Sequence, residues 1–361
     1  MKVIVFTADE NNGGIKQFTI QILKTFIQLG HDATLFIPNL KSIEIDNGLD
    51  KNVLRYKKQK DILGITPEII NTAKKINAMH PDCIYLTDDS MYSIQVMRHV
   101  DKKIKMIMTM HDITQHPNKL SFKRRFLTFI SVNFYRKIAF KRMNKIIVLS
   151  ENSRNRLSKM YPNVVPKISL LLLGAHCPNV EETKIPNEID EDLGPFFLFF
   201  GRIQEYKGIY RALVAFNAIE NHKGFKFVVA GNGCLSNNEK REIDKSEDII
   251  LINRYIEESE MVWLIKNSSI VVLPYIEASQ SGVIPLAYHF GKPIIGSRID
   301  GIIEFTNDNT GFLFNNELEL KEYMQTVIDD KVDLVLMSKK CLDFENNYLN
   351  WETNLKSVLK D

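Results

Sequence analysis

The sequence predicts an α/β protein of two domains, each a parallel sheet wrapped in helices. Length, a repeating strand rhythm and a break in that rhythm carry the expectation. At 361 residues the chain exceeds one ordinary core, so two domains of roughly 150 to 180 residues are expected. Short apolar or β-branched runs alternate with helical patterns, which is the signature of parallel βαβ units. Between two such series lies Gly174 to Gly194, rich in Pro, Asn, Glu and Asp and poor in apolar periodicity. It reads as a linker.

Taken in order, the first series is Val3 to Phe6, Ala33 to Ile37, Cys83 to Leu86, Lys105 to Thr109, Ile146 to Leu149 and Ile168 to Leu172. A helix over Lys16 to Leu29 follows the first strand. The rhythm restarts at Phe196 to Phe200 and continues with Phe225 to Ala230, Ile249 to Ile252, Ile270 to Leu273 and Pro293 to Gly296. The tail, Asn350 to Lys360, reads as a short amphipathic helix able to return to the first domain. The expected domains are 1–176 with the returning helix 347–361, and 177–346.

Composition narrows the class. Hydrophobic residues make up 44% and charged residues 25%, as in a soluble globular protein, and a net charge of +3 gives no general case for nucleic-acid binding. The apolar run at the N-terminus is far shorter than a signal segment, and no window suits a membrane-spanning helix. A cytoplasmic location is expected, with any membrane contact peripheral. Cys83, Cys177, Cys234 and Cys341 are scattered without CxxC spacing and read as isolated thiols.

The candidate chemistry lies at strand ends. Leu273-Pro274 closes an apolar strand, Ser281-Gly282 makes a small-residue turn, and Gly291-Lys292-Pro293 leads into the next strand. That layout places backbone N–H groups of Ser281, Gly282 and Val283 where a phosphate can be held. Arg202 and Lys207, five apart across another strand-to-helix turn, can reach one point above the sheet edge. A departing diphosphate needs such neutralisation from cations or a metal. Gly231-Asn232-Gly233 marks a tight turn after a strand, and Gly13-Gly14 permits either close substrate approach or a plain turn.

His111-Asp112 follows the strand Lys105 to Thr109, at the position that faces the ligand crevice in an open α/β sheet. His111 can donate to a phosphate or sugar hydroxyl, with Asp112 fixing its tautomer. Glu277, Asp300 and Glu304 are the carboxylates nearest the phosphate loop; Glu277 is the foremost donor-sugar candidate. Asp190-Glu191-Asp192 has the look of a metal-binding Asp-x-Asp but precedes a strand, and reads as a solvated loop. The tract Lys119 to Lys145 is rich in Lys and Arg, has no Asp or Glu, and is interleaved with aromatics. It admits two readings, docking to an anionic membrane or a core helix with solvated ends.

The ordered set resembles the retaining, nucleotide-sugar-dependent glycosyltransferases of family 4, also called group 1. Its pieces are Gly13-Gly14, Met110-His111-Asp112, Ile146 to Ser153, Lys167 to Gly174, Phe200-Gly201-Arg202 with Lys207-Gly208, Val229 to Gly233, Leu273-Pro274, Gly291 to Pro293, Gly301 to Glu304 and Thr310-Gly311. The resemblance implies the GT-B fold, two Rossmann-like domains facing across a cleft. It implies that Arg202 and Lys207 hold the donor diphosphate, that the Ser281, Gly282 and Val283 amides complete the cradle, and that His111 contacts the donor sugar. The family's paired glutamates fall on Ala278 and Leu286, so Glu304 or a backbone group would serve the ribose.

The implied activity is retaining transfer of a sugar to a glycan, in surface polysaccharide biosynthesis, with a lipid-linked acceptor at the inner membrane face. Lys123, Arg124 and Arg125 are the residues expected at that face. No metal or other cofactor and no nucleic acid is expected, the nucleotide sugar being a co-substrate. A nucleotide-sugar epimerase and an inactive sugar-nucleotide-binding subunit or scaffold are the alternatives.

Overall fold

The computed structural model describes residues 1–10, 14–39, 48–59, 65–111, 113, 134–178, 180–190, 192–278 and 280–360. The chain divides into two compact units, Met1–Leu172 with Trp351–Asp361, and Leu173–Asn350. Each is built on its own parallel sheet.

The first unit runs β1 (Lys2–Phe6), α1 (Gly14–Gln28), β2 (Asp32–Pro38), β3 (Val53–Tyr56), α2 (Pro67–Ala78), β4 (Cys83–Leu86), α3 (Met91–Met97), β5 (Lys105–Met110), α4 (134–142), β6 (Lys145–Val148), α5 (Glu151–Met160) and β7 (Ile168–Leu170). The seven strands lie in the order β3-β2-β1-β4-β5-β6-β7. All pairings are parallel. Helices cover both faces of such a sheet, which explains why its strands are unbroken apolar runs rather than alternating ones. Val3, Ile4, Val5 and Phe6 are fully buried, and α1 packs Phe18, Ile22, Leu23 and Phe26 inward.

The second unit runs β8 (Phe196–Phe200), α6 (Ile209–Asn217), β9 (Lys226–Ala230), α7 (Asn237–Ile243), β10 (Ile249–Ile252), α8 (Glu258–Asn267), β11 (Ile270–Leu273), α9 (Val283–His289), β12 (Ile294–Ser297), α10 (Asp300–Ile303), β13 (Gly311–Phe314), α11 (Glu317–Ile328) and α12 (Leu334–Tyr348). Its strand order is β10-β9-β8-β11-β12-β13, again parallel throughout. The chain winds outward from β8 to β10 and returns to β11 beside β8. That reversal opens a crevice at the carboxyl ends of β8 and β11, where ligands bind in open α/β sheets.

Both strands absent from the sequence reading, β3 and β13, are edge strands. β3 leaves Leu54 and Arg55 exposed, so it lacks the long apolar run that marks the inner strands. The last helix, α13 (Trp351–Lys360), belongs to the first unit. It buries Trp351, Leu355 and Val358, and the Trp351 ring stands 5.9 Å from that of Phe18 on α1. Asn354 Nδ2 donates to the Leu172 carbonyl at 3.1 Å, closing the helix onto the end of the first sheet.

All four cysteines are free thiols. Glu188, in the segment read as the linker, is held by a guanidinium fork. Arg254 Nε and Nη2 donate to its two carboxylate oxygens at 2.8 Å each, while Nη1 reaches Glu260 at 2.7 Å.

Candidate active site

In the second unit, the turn after β8 is forced into shape by glycine. Gly208 has φ +63, and a Cβ there would lie 2.0 Å from the Pro274 carbonyl oxygen, so only glycine lets this turn sit against the loop after β11. Gly231 has φ +151 and would place a Cβ 1.8 Å from the Gly201 oxygen. Its glycine is required by the packing of the β8 and β9 ends on each other. By contrast, a Cβ on Gly14 or Gly282 would meet nothing within 4 Å among the described residues, so backbone packing does not demand glycine at either place.

The two cations diverge in environment. Arg202 is exposed, whereas Lys207 is half-buried on a 3-10 turn. The Lys207 ammonium stands 3.7 Å from the centroid of the Tyr275 ring and 5.4 Å from that of Tyr206. Neither Arg202 nor Lys207 has an ion-pair partner among the described residues. Burial, opposed by Tyr206 and aided by the Arg202 charge, brings the Lys207 ammonium down to about 8. A desolvated, unpaired cation is costly, and structures keep one chiefly where an anionic ligand completes it.

Tyr275, which the sequence reading passed over, is fully buried at the end of β11. Burial pushes its phenol up to about 12, an effect moderated by the Ser281 hydroxyl. Among the described residues neither the Tyr275 nor the Ser281 hydroxyl has a hydrogen-bond partner. Ser281 and Gly282 lead directly into α9, whose N-cap Gly282 offers no side chain to the first turn. Pro285 lies in that turn, so the free N–H groups are those of the residues before it. The loop is tied back by the Gly301 N–H, which donates to the Ala278 carbonyl at 3.2 Å. Glu277 is exposed on this loop, and Glu304 is half-buried at the end of α10. Leu286 is buried on α9 and Ala278 sits in the loop, so no carboxylate occupies either family glutamate position.

In the first unit, His111 follows β5 and its Nε2 lies 2.8 Å from the Thr87 carbonyl oxygen. A carbonyl only accepts, so Nε2 carries a proton and donates it, which leaves Nδ1 as the ring nitrogen turned to a ligand. The Phe18 ring meets the imidazole edge to face at 4.9 Å. Next to Thr87, Asp88 accepts from Thr7 Oγ1, the Ala8 and Ser90 N–H groups and Ser93 Oγ, which locks the turns after β1 and β4 together. Asp89 pairs with Arg136 at 3.1 Å; burial raises its carboxyl against the pull of that guanidinium. The sequence reading singled out none of Asp88, Asp89 or Arg136. Gly14 opens α1 beside a small recess lined by Thr7, Asp9, Lys16 and Thr19. Gly13, Asp112, Glu191, Lys123, Arg124 and Arg125 lie outside the described residues.

Two family models divide the chain between them. Residues 12–172 match the model described as Glycosyltransferase Family 4, and residues 194–330 match Glycosyl transferases group 1. The chain belongs to the family 4, group 1 glycosyltransferases. No curated protein matches this glycosyltransferase. Among solved structures it is similar to HepE of Anabaena in complex with UDP, at 14% identity and a TM-score of 0.77, covering 100% of this chain and 99% of that one. A glycosyltransferase from Rickettsia africae is 19% identical with a TM-score of 0.72 over 99% of this chain and 97% of that one. WaaG, a glycosyltransferase involved in lipopolysaccharide biosynthesis, is 14% identical with a TM-score of 0.69 over 99% and 98%. At these identities the likeness establishes the GT-B fold class and leaves specificity to the residues.

The structure brings Arg202, Lys207, Ser281, Gly282 and Val283 to the two loops that border the second unit's crevice. Gly231 supports the β8 loop from the neighbouring turn. Among the described residues no group of three or more His, Cys, Asp or Glu side chains is arranged to hold a metal. Among them, too, no helix is long and apolar enough to cross a membrane.

Proposed function

We propose that this glycosyltransferase moves a sugar from a nucleoside diphosphate donor to a glycan acceptor, with retention at the anomeric carbon and without a bound metal. The observation that carries the reading is the unpaired Lys207 ammonium, held beside exposed Arg202 at the reversal point of the second sheet. A UDP-linked sugar is the donor class favoured by the likeness to HepE, which was solved with UDP.

The chemistry follows from charge. As the glycosidic bond breaks, the diphosphate gains negative charge, and Arg202 and Lys207 stabilise it more in the transition state than in the ground state. Each charge-assisted hydrogen bond to it contributes about 1.5–3 kcal/mol. The Ser281, Gly282 and Val283 amides add donors that need no reorganisation. Retention by attack from the face of the leaving group requires no enzymic nucleophile, which suits a site lacking carboxylates at Ala278 and Leu286. His111, with Nε2 occupied by Thr87, offers Nδ1 to a sugar hydroxyl.

For the acceptor we propose a lipid-linked glycan of surface polysaccharide assembly, met at the inner membrane face. The support is the basic tract containing Lys123, Arg124 and Arg125, together with the likeness to WaaG. Vesicles with and without anionic lipid test it: neutralising the three side chains should release the protein from anionic vesicles, and a wild type that never binds them refutes it. For the reaction, the protein is incubated with UDP-, GDP- and ADP-sugars and slow nucleotide release is followed with and without chelator. Release from one donor class, unaffected by chelator, is expected; release that requires a metal would contradict the cationic mechanism.

A further inference from the structure

We infer that Tyr275 is a positioning residue for the donor diphosphate, its ring holding the Lys207 ammonium in place of a carboxylate counter-ion. The inference rests on the second unit's crevice being the donor site. A carboxylate beside Lys207 would compete with the phosphate for the same three N–H donors. An aromatic face attracts the cation through its quadrupole and engages none of those donors in a hydrogen bond, so the ammonium is fixed yet unspent.

The geometry supports this division of labour. The ammonium lies 3.7 Å from the ring centroid, and Lys207 forms no ion pair among the described residues. The ring itself cannot drift, because Tyr275 is fully buried and its loop is stitched to the Lys207 turn on both sides. The Ile276 N–H donates to the Tyr206 carbonyl at 2.8 Å, and Gly208 packs its bare Cα on the Pro274 carbonyl. Beyond the ring, the buried Tyr275 and Ser281 hydroxyls have no hydrogen-bond partner among the described residues, and Ser281 begins the amide cradle. One side chain thus stands between the cation and the cradle. The charged and titratable groups that set the Lys207 environment are Arg202, Tyr206 and Tyr275 itself.

The test keeps the shape of the ring and changes its electrons. Tyr275→Phe retains the negative face, whereas Tyr275→pentafluorophenylalanine is nearly isosteric with Phe and reverses it. UDP binding to the full-length protein is measured by calorimetry from pH 6.5 to 9.5, with thermal unfolding as a check on folding. The Phe variant should bind within about twofold of wild type, since the ring face is kept. The fluorinated variant should lose binding about one pH unit lower, and be roughly fivefold weaker at pH 8, because the ammonium loses the face that favours its charged form. Equal behaviour of the two variants would overturn the role of Tyr275. Lys207→Ala and Arg202→Ala serve as controls: if both bind UDP like wild type, or wild type does not bind UDP, the donor-site reading falls first. If they bind poorly while the fluorinated ring is silent, only the Tyr275 inference is rejected.

Discussion

The Lys207 ammonium and the Tyr275 ring face each other at 3.7 Å across the two loops that flank the reversal point of the second sheet. Lys207 comes from the turn after β8 and Tyr275 from the end of β11, so the contact joins the two halves of the crevice. It leaves a cation desolvated by its surroundings and unmatched by any carboxylate among the described residues, which is an arrangement that favours an anion over water.

Burial lowers the Lys207 ammonium to about 8, so its charge is lost as pH rises through that value. A bound diphosphate favours the charged form and raises it again. Binding of UDP should therefore weaken above pH 8 and be accompanied by proton uptake. Calorimetry at pH 8 in buffers of different ionisation enthalpy should show about half a proton taken up per UDP bound. No proton linkage between pH 7 and 9 would mean that Lys207 does not meet the phosphate.

Gly208→Ala places a methyl group 2.0 Å from the Pro274 oxygen at a left-handed backbone position. The turn must shift, at a cost of roughly 1–3 kcal/mol, and it carries Lys207 with it. Urea unfolding should report the destabilisation, and UDP titration should report a loss of affinity even where the variant is fully folded. Gly282→Ala, by comparison, meets no neighbour within 4 Å among the described residues and should change stability little; weakened UDP binding there would mark close ligand approach.

His111→Ala removes the imidazole held by the Thr87 carbonyl and the Phe18 edge. If Nδ1 meets a sugar hydroxyl, kcat should fall about ten- to a hundredfold while UDP affinity stays near wild type. A shift in melting temperature with unchanged kcat would assign His111 a purely structural part.

Trp351→Ala opens a hole between α13 and Phe18, the same ring that walls His111. Removing a buried Trp costs about 3 kcal/mol or more, and the loss should fall on the first unit. Hydrogen exchange should show faster exchange in α1 and α13, with β8 to β13 unaffected. Uniform protection in α1 would refute the role of α13 as its cover.

The inner strands were legible in the sequence because a parallel sheet buried on both faces demands continuous apolar runs, as in Phe196 to Phe200 and Ile270 to Leu273. The edge strand β3 was not, since its exposed Leu54 and Arg55 relax that demand, and β13 is a four-residue run opened by Gly311. That Arg202, Lys207 and Ser281-Gly282 stand on loops at strand ends could be read from residue type and spacing. What could not be read was depth and partnership. Nothing in the spacing places Tyr275 under Lys207, gives the His111 Nε2 proton to Thr87, or pairs Asp89 with Arg136, because these contacts join segments far apart in the chain. Gly231 was legible as a turn, yet its close approach to Gly201 appears only when β8 and β9 are paired.

The central claim is that Arg202 and Lys207 carry the departing diphosphate. Nucleotide release from the sugar nucleotide the wild type accepts, measured for Arg202→Ala and Lys207→Ala with folding verified, tests it most directly. Turnover should fall at least about a hundredfold in each variant. Turnover equal to wild type in either would contradict the account.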